Sequence, residues 1–342
     1  LSAPTALTRN LEIHSAGAIA GFSGRMNAGQ DSGKHIGAGD ISPATSPGIN
    51  DSTYQRINVL SPPHQDTMAN SLLAGKKGII FGALDERSIA WKTALRCHEE
   101  GAQIVLTNAP IALRMGKIKE LAAACGDAPV IGADATSNED LEKLLNESMQ
   151  HFGGKVDFIL HSIGMSPNVR KNISYTETNY ENFHKTLDIS ALSLHRVLQA
   201  AMKLDAINEW GSVVGLSYIA AQRTFPGYND MADAKALLES VARSFGYYYG
   251  FAKKVRVNTV SQSPTATTAG SGVGGFDAFF SYADKMSPLG NATGEDCAAF
   301  NVMLFSDFTR MVTMQNLFHD GGFSFTGVSS PIVEEFQQAA QQ

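Results

Sequence analysis

The sequence predicts an α/β fold, a doubly wound, seven-stranded parallel sheet with helices on both faces. Three observations predict it. Apolar runs of strand length recur from Lys76 onward. Stretches with helical spacing of apolar residues separate them, and glycines or polar turns stand where the runs end. Strands that alternate with helices are carried back to the same sheet edge each time, so they pair in parallel.

Lys77 to Gly82 (KGIIFG) is an apolar run closed by glycine, as suits a strand covered on both faces. Ser88 to Glu100 follows at helical spacing, with Ile89, Ala90, Ala94 and Cys97 on one face. Ser88 has the chemistry of a helix cap, and Gly101 ends the helix. Gln103 to Thr107 is a second strand, residues 113 to 124 a helix, and Pro129 to Ala133 a third strand. A helix over 139 to 151 leads to a fourth strand, Val156 to His161. Helical residues 190 to 204 precede the strand Ser212 to Ser217. A long helix from about 228 to 250 precedes the strand Lys254 to Val260, and a last strand near Val312 to Phe318 runs into the turn Asp320-Gly321-Gly322. The arrangement is Rossmann-like, and such sheets bind ligands outside the carboxyl ends of their strands.

Residues 1 to 67 differ. They hold 8 Gly, 5 Pro and 8 Ser, with Phe22 and Tyr54 as their aromatics. So little apolar area does not offset chain entropy. The expectation is a disordered extension, or upstream sequence, before a single domain spanning 68 to 342. The 4 Lys and Arg against 5 Asp and Glu in this segment do not match a transit peptide, which is Arg-rich and poor in acids.

A net charge of −6 argues against a nucleic-acid binder. No apolar run is long enough for a membrane span. Three widely spaced cysteines, Cys97, Cys125 and Cys297, read as reduced thiols of a cytoplasmic protein. Neither they nor the 9 histidines show metal-ligand spacing, so no metal is expected.

The turn after the first strand, Gly82-Ala-Leu-Asp-Glu-Arg-Ser88, has the glycine that lets a backbone approach a pyrophosphate but lacks the second glycine of the usual fingerprint. The plain reading of such a turn is a strand-to-helix connection. The carboxylate that commonly holds an adenosine ribose is missing from Thr107-Asn108-Ala109-Pro110, where Arg114 is either a phosphate partner or a solvated helix charge. Asp134 and the turn Ser162-Ile163-Gly164 lie at other strand ends; a lone Asp there is more commonly a turn residue.

The segment richest in chemistry is Leu216-Ser217-Tyr218 through Tyr228 to Lys235. A strand delivers Tyr218 to the ligand edge, and Tyr228 and Lys235 stand seven apart, nearly two helical turns, on one face. An ammonium near a phenol lowers its pKa and suits proton donation to a developing oxyanion. Tyr and Lys at this spacing also arise by chance. Tyr249 and Lys253 form a competing pair but close the helix at the opposite end of the sheet.

Together, the first turn with Ser88-Ile89-Ala90, the His161-Ser-Ile-Gly turn, Tyr218, Tyr228 and Lys235 resemble the NADH-type enoyl-acyl-carrier-protein reductases of bacterial fatty acid synthesis, divergent short-chain dehydrogenases. The likeness covers about 69 to 336 and includes His319-Asp-Gly-Gly-Phe. It implies that Tyr228 stabilises the enolate oxygen of the substrate, that Lys235 holds the nicotinamide ribose, and that Tyr218 assists beside the thioester. It also implies that Gly82, Ser88, Ile89, Asp134, Ala135, Ser162, Ile163 and Gly164 line the coenzyme, with Thr265, Ala266, Thr267, Thr268 and Ala269 covering the nicotinamide. Ser166 and Phe276 are implied to touch substrate. NADH is the coenzyme implied, an acyl carrier protein the partner and a homotetramer the assembly. Two departures stand out: Ser263-Pro264 replaces a Gly-Pro, and Asn108-Ala109 replaces a glutamine, which leaves NADPH open beside NADH.

Residues 263 to 284 combine glycines with Phe276, Phe279, Phe280 and Tyr282. They read as a lid over an acyl chain, or more simply as a surface loop with a short core helix. Two other functions stay open: a 3-oxoacyl thioester reductase or other short-chain dehydrogenase, and a non-catalytic nucleotide sensor on the same scaffold.

Overall fold

The computed structural model describes residues 71–268, 270 and 275–341. The expectations for residues 1 to 67, for Ala269 and for residues 271–274 of the lid lie outside these. β1 (Lys77–Phe81), β2 (Gln103–Thr107), β3 (Val156–His161), β4 (Ile207–Ser217), β5 (Arg256–Gln262) and β6 (Asn316–His319) form one parallel sheet in the order β2-β1-β3-β4-β5-β6.

Alternate residues of the central strands face opposite layers. Ile79, Ile159 and Val213 pack with α4 (Asn138–Phe152), α7 (Ser193–Lys203) and α8 (Asn229–Lys253). Ile80, Leu160 and Val214 pack with α1 (Ile89–Glu99), α3 (Ile118–Ala124) and α10 (Gly294–Phe305). Each fully buried aliphatic side chain of these layers contributes about 1.5–3 kcal/mol. Gly78 makes room for the Phe158 ring, which a Cβ there would meet at 2.1 Å, and Phe158 in turn stacks on Phe305.

Several expectations are corrected. Among the described residues the sheet has six strands, and the seventh expected, 129–133, joins its β2 edge through a single bridge, Leu106 to Val130. Pro129 has no N–H to donate, and the segment follows β2 through a few bonds such as Ile131 N to Leu106 O, 3.0 Å. The helix expected over 113 to 124 is two: α2 (Pro110–Met115) and α3, parted at Gly116. A Cβ on Gly116 would stand 2.6 Å from the Leu84 carbonyl, and the next amide, Lys117 N, donates to that carbonyl at 2.9 Å. The break thus ties this segment to the turn after β1.

The helix expected over 190 to 204 begins instead with α6 (Tyr180–Leu187) and a wide π turn at Asp188–Leu192. The last strand is confined to Asn316–His319. α5 (Pro167–Arg170), α9 (Phe276–Met286), α10 and α11 (Ser330–Ala339) complete the described elements, and α10 carries a capping box between Thr293 and Asp296. Among the described residues no helix is long and apolar enough to cross a membrane, and no three His, Cys, Asp or Glu side chains gather as metal ligands.

Candidate active site

The carboxyl ends of β1, β3, β4 and β5 bring four segments together. After β1, Gly82 has φ +93° and a Cβ on it would meet the Ser162 carbonyl oxygen at 2.0 Å, so only glycine lets the β1 and β3 turns approach. The Ser88 hydroxyl donates to the Asp85 carbonyl at 2.8 Å and accepts from Leu84 N at 3.3 Å. It braces the turn and does not cap α1, as had been expected. α1 therefore opens with no side-chain cap and no acidic residue in its first turn. Free amides at the positive end of a helix fit a pyrophosphate, so this end of the fold suits a dinucleotide. Half-buried Ile89 begins that helix.

The Asn108 amide donates to the Ala83 carbonyl at 2.9 Å, and its oxygen accepts from Ala109 N at 2.9 Å. Both ends serve the protein. Asp134 is exposed, and its Oδ1 accepts from Thr136 N and Thr136 Oγ1, while Ala135 beside it is buried.

Lys235 is 7% exposed. Its ammonium donates to the Leu216 carbonyl at 2.7 Å and the Ile163 carbonyl at 3.3 Å, and lies 3.6 Å from where a Cβ on Gly164 would be. Burial pulls its pKa down to about 8, against the opposing pull of Glu239. His161 faces this group from β3. Its Nε2 is 2.8 Å from Ser193 Oγ, and burial, with the charge of Lys235, lowers it to about 3.

Tyr228 stands just ahead of α8, and Asn229 takes φ +43°, so Tyr228 and Lys235 do not share the regular helix that their spacing suggested. The Tyr228 phenol is not acidified by Lys235. Burial pushes it up to about 12. It is consequently protonated at neutral pH and a donor. The Tyr218 ring lies 5.2 Å from the Tyr228 ring. Its hydroxyl is buried with no partner among the described residues, and its pKa is raised by burial first and then by Tyr228 and Asp320. The competing pair is set apart as expected: Lys253 donates to the Ile207 carbonyl at the start of β4.

Phe276 packs against Phe280, and Phe279 meets Tyr218 edge-on, ring centroids 6.4 Å apart. Phe279 also meets Phe225 and Phe323, giving an aromatic cover that the sequence reading missed. Ser166 is 3% exposed, and its hydroxyl donates to Asp230 at 2.6 Å and accepts from Val169 N. After β5, Thr265 donates to the Ser263 carbonyl, Ala266 is exposed, and Thr267 Oγ1 accepts from Gly270 N. Thr268 donates to the carboxylate of Asp85 and so joins this segment to the β1 turn. Missed as well was Glu239, 4% exposed, which accepts from Ser217 Oγ at 2.7 Å and Gln222 Nε2 at 3.0 Å.

Residues 82–324 match the family model described as enoyl-(acyl carrier protein) reductase. The NADH-type enoyl-[acyl-carrier-protein] reductase 2 of Rhizobium meliloti is 32% identical, over 79% of this chain and 98% of its own length. The corresponding enzyme of Aquifex aeolicus is 34% identical, over 75% and 94%. Among solved structures, a FabI–NADH complex from Alistipes finegoldii is 65% identical with a TM-score of 0.75, covering 76% of this chain and 91% of that one. On its sequence, its sheet and these relatives, the chain belongs to the enoyl-(acyl carrier protein) reductase family.

Proposed function

We propose that this chain reduces the trans-2 double bond of enoyl thioesters carried on an acyl carrier protein, giving the saturated acyl thioester in fatty acid elongation. NADH, when bound, supplies the hydride for the β-carbon. The observation that carries the reading is the Tyr218 hydroxyl, buried beside Tyr228 without a partner among the described residues. A buried donor without an acceptor costs about 1–3 kcal/mol and is kept where a ligand completes it.

Each residue then has a role. As the β-carbon gains hydride, negative charge moves to the thioester oxygen. Tyr228, still protonated at neutral pH, donates a hydrogen bond to that oxygen, and collapse of the enolate takes a proton from water onto the α-carbon. Tyr218 supplies a second donor from the end of β4. Lys235 holds the nicotinamide ribose. Gly82, Ser88, Ile89, Asp134, Ala135 and residues 162–164 would line the coenzyme, and Thr265, Ala266, Thr267 and Thr268 would cover the nicotinamide. The cover of Phe225, Phe279 and Phe323, with Phe276 packed against Phe280, encloses the acyl chain, and Ser166 shapes the substrate pocket through its bond to Asp230.

The Ser217 hydroxyl is held by Glu239, which counts against its use on a ketone and against the 3-oxoacyl reductase reading. NADH and NADPH oxidation measured with crotonyl and acetoacetyl thioesters tests this. Turnover of crotonyl thioester with NADH is expected. Turnover of the ketone alone would overturn the reading, and turnover of neither would leave a nucleotide sensor. We further propose a cytoplasmic homotetramer with a single reductase domain from residue 68 and a lid over 263–284.

A further inference from the structure

We propose that Glu239 is a positioning residue for the reduction, the buried counter-charge of Lys235 and the anchor of the strand end that carries Tyr218. This rests on Lys235 holding the coenzyme, as above. Glu239 lies four residues after Lys235, one turn along α8 and on the same side of the helix. Its carboxylate accepts from Ser217, whose neighbour Leu216 offers the carbonyl that takes the Lys235 ammonium at 2.7 Å. One acid thus holds both the lysine's field and the lysine's acceptor. Gln222, in the loop between Tyr218 and Tyr228, gives the carboxylate its second donor.

Carboxylates this buried are rarely kept without work to do, and in a dry setting a charge one turn away acts strongly. Of the groups around Lys235, Glu239 is the one whose negative charge acts on it. His161 on β3 is neutral. Tyr228, ahead of α8, stays protonated, as does Tyr218 at the end of β4. Asp230, also on α8, is bound to Ser166, Asn168 and Thr186. Glu239 opposes the burial that drains charge from Lys235. Removing its charge lets the lysine neutralise at lower pH, so the coenzyme is released earlier as pH rises.

The test is NADH affinity of the full chain, read by nicotinamide fluorescence from pH 6 to 9.5, with thermal unfolding as a check on the fold. In Glu239→Gln, which keeps the size and the acceptor for Ser217, the alkaline loss of affinity should begin about one pH unit earlier. Affinity should then be about fivefold weaker at pH 8 and unchanged near pH 6. Glu239→Asp, with the charge restored, should bring the alkaline limb back towards wild type. Ser217→Ala keeps the charge and cuts the strand link, so kcat should fall several-fold while the limb stays in place. It also keeps the test open if Glu239→Gln does not fold. A wild-type limb in folded Glu239→Gln, or a wild-type kcat in Ser217→Ala, overturns the proposal. Lys235→Ala tells that failure from the other one: wild-type NADH affinity there would sink the role of Lys235 itself.

Discussion

The rings of Tyr218 and Tyr228 lie 5.2 Å apart, centroid to centroid, inclined at 56°. One comes from the end of β4 and the other from the head of α8, so the pair exists only once the sheet and its longest described helix have packed. Two phenols held this way, both protonated, are the donors that the proposed reduction places on one developing negative charge.

Tyr228→Phe is expected to lower kcat by roughly 10²–10³-fold, the usual loss when one such donor is removed. KM should change little. Steady-state kinetics with crotonyl thioester, beside an unaltered thermal melt, checks it.

Tyr218→Phe should separate stability from activity. Its hydroxyl has no partner among the described residues, so deleting it removes a desolvation cost of about 1–3 kcal/mol. The melting temperature should rise or hold while the rate falls; a clear drop in melting temperature would contradict this.

Gly82→Ala forces a Cβ to within 2.0 Å of the Ser162 carbonyl at φ +93°. Backbone strain of this kind costs about 1–3 kcal/mol, and relief requires the β1 and β3 turns to part. Calorimetric titration should show a large loss of NADH affinity together with a lower melting temperature.

Coenzyme binding by the unaltered chain should weaken above about pH 8, where Lys235, held low by burial, loses its proton. The sign follows from the charge: a lysine with a depressed pKa is charged below that value and neutral above it. Affinity that stays flat to pH 9.5 would exclude the ammonium from binding.

Phe279→Ala opens the aromatic cover and should raise KM for long acyl chains by about tenfold, with less effect on crotonyl thioester. Competition between chain lengths at fixed enzyme measures it.

The sheet was legible because residues 79–81, 158–160 and 213–214 are short apolar runs, buried on both faces and set between helical stretches, whereas β5 is buried but largely polar. Residues 129–133 are also mostly apolar, yet they meet β2 through a single bridge, since Pro129 has no N–H to give the ladder. The tyrosine pair and the lysine were readable from their order along the chain. Which phenylalanine meets Tyr218 was not, because that depends on where α9 starts. Gly275, at φ +73°, sets the helix's phase so that Phe279 turns inward. Glu239 was hidden for a related reason. An acid on a long helix reads as solvated until the fold shows Ser217 and Gln222 closing on it.

The hydrogen bond from Thr268 to Asp85 ties the segment ahead of α9 to the turn after β1, 183 residues away in the chain. In the proposed function these are the base of the lid and the turn at the pyrophosphate. By reciprocity, whatever coenzyme binding would do to the closing of that lid, closing it would do in equal measure to the grip on the coenzyme. A substrate long enough to hold the proposed lid shut would then slow departure of the nucleotide, so chain length would be felt in the lifetime of the coenzyme complex as well as in the acyl site.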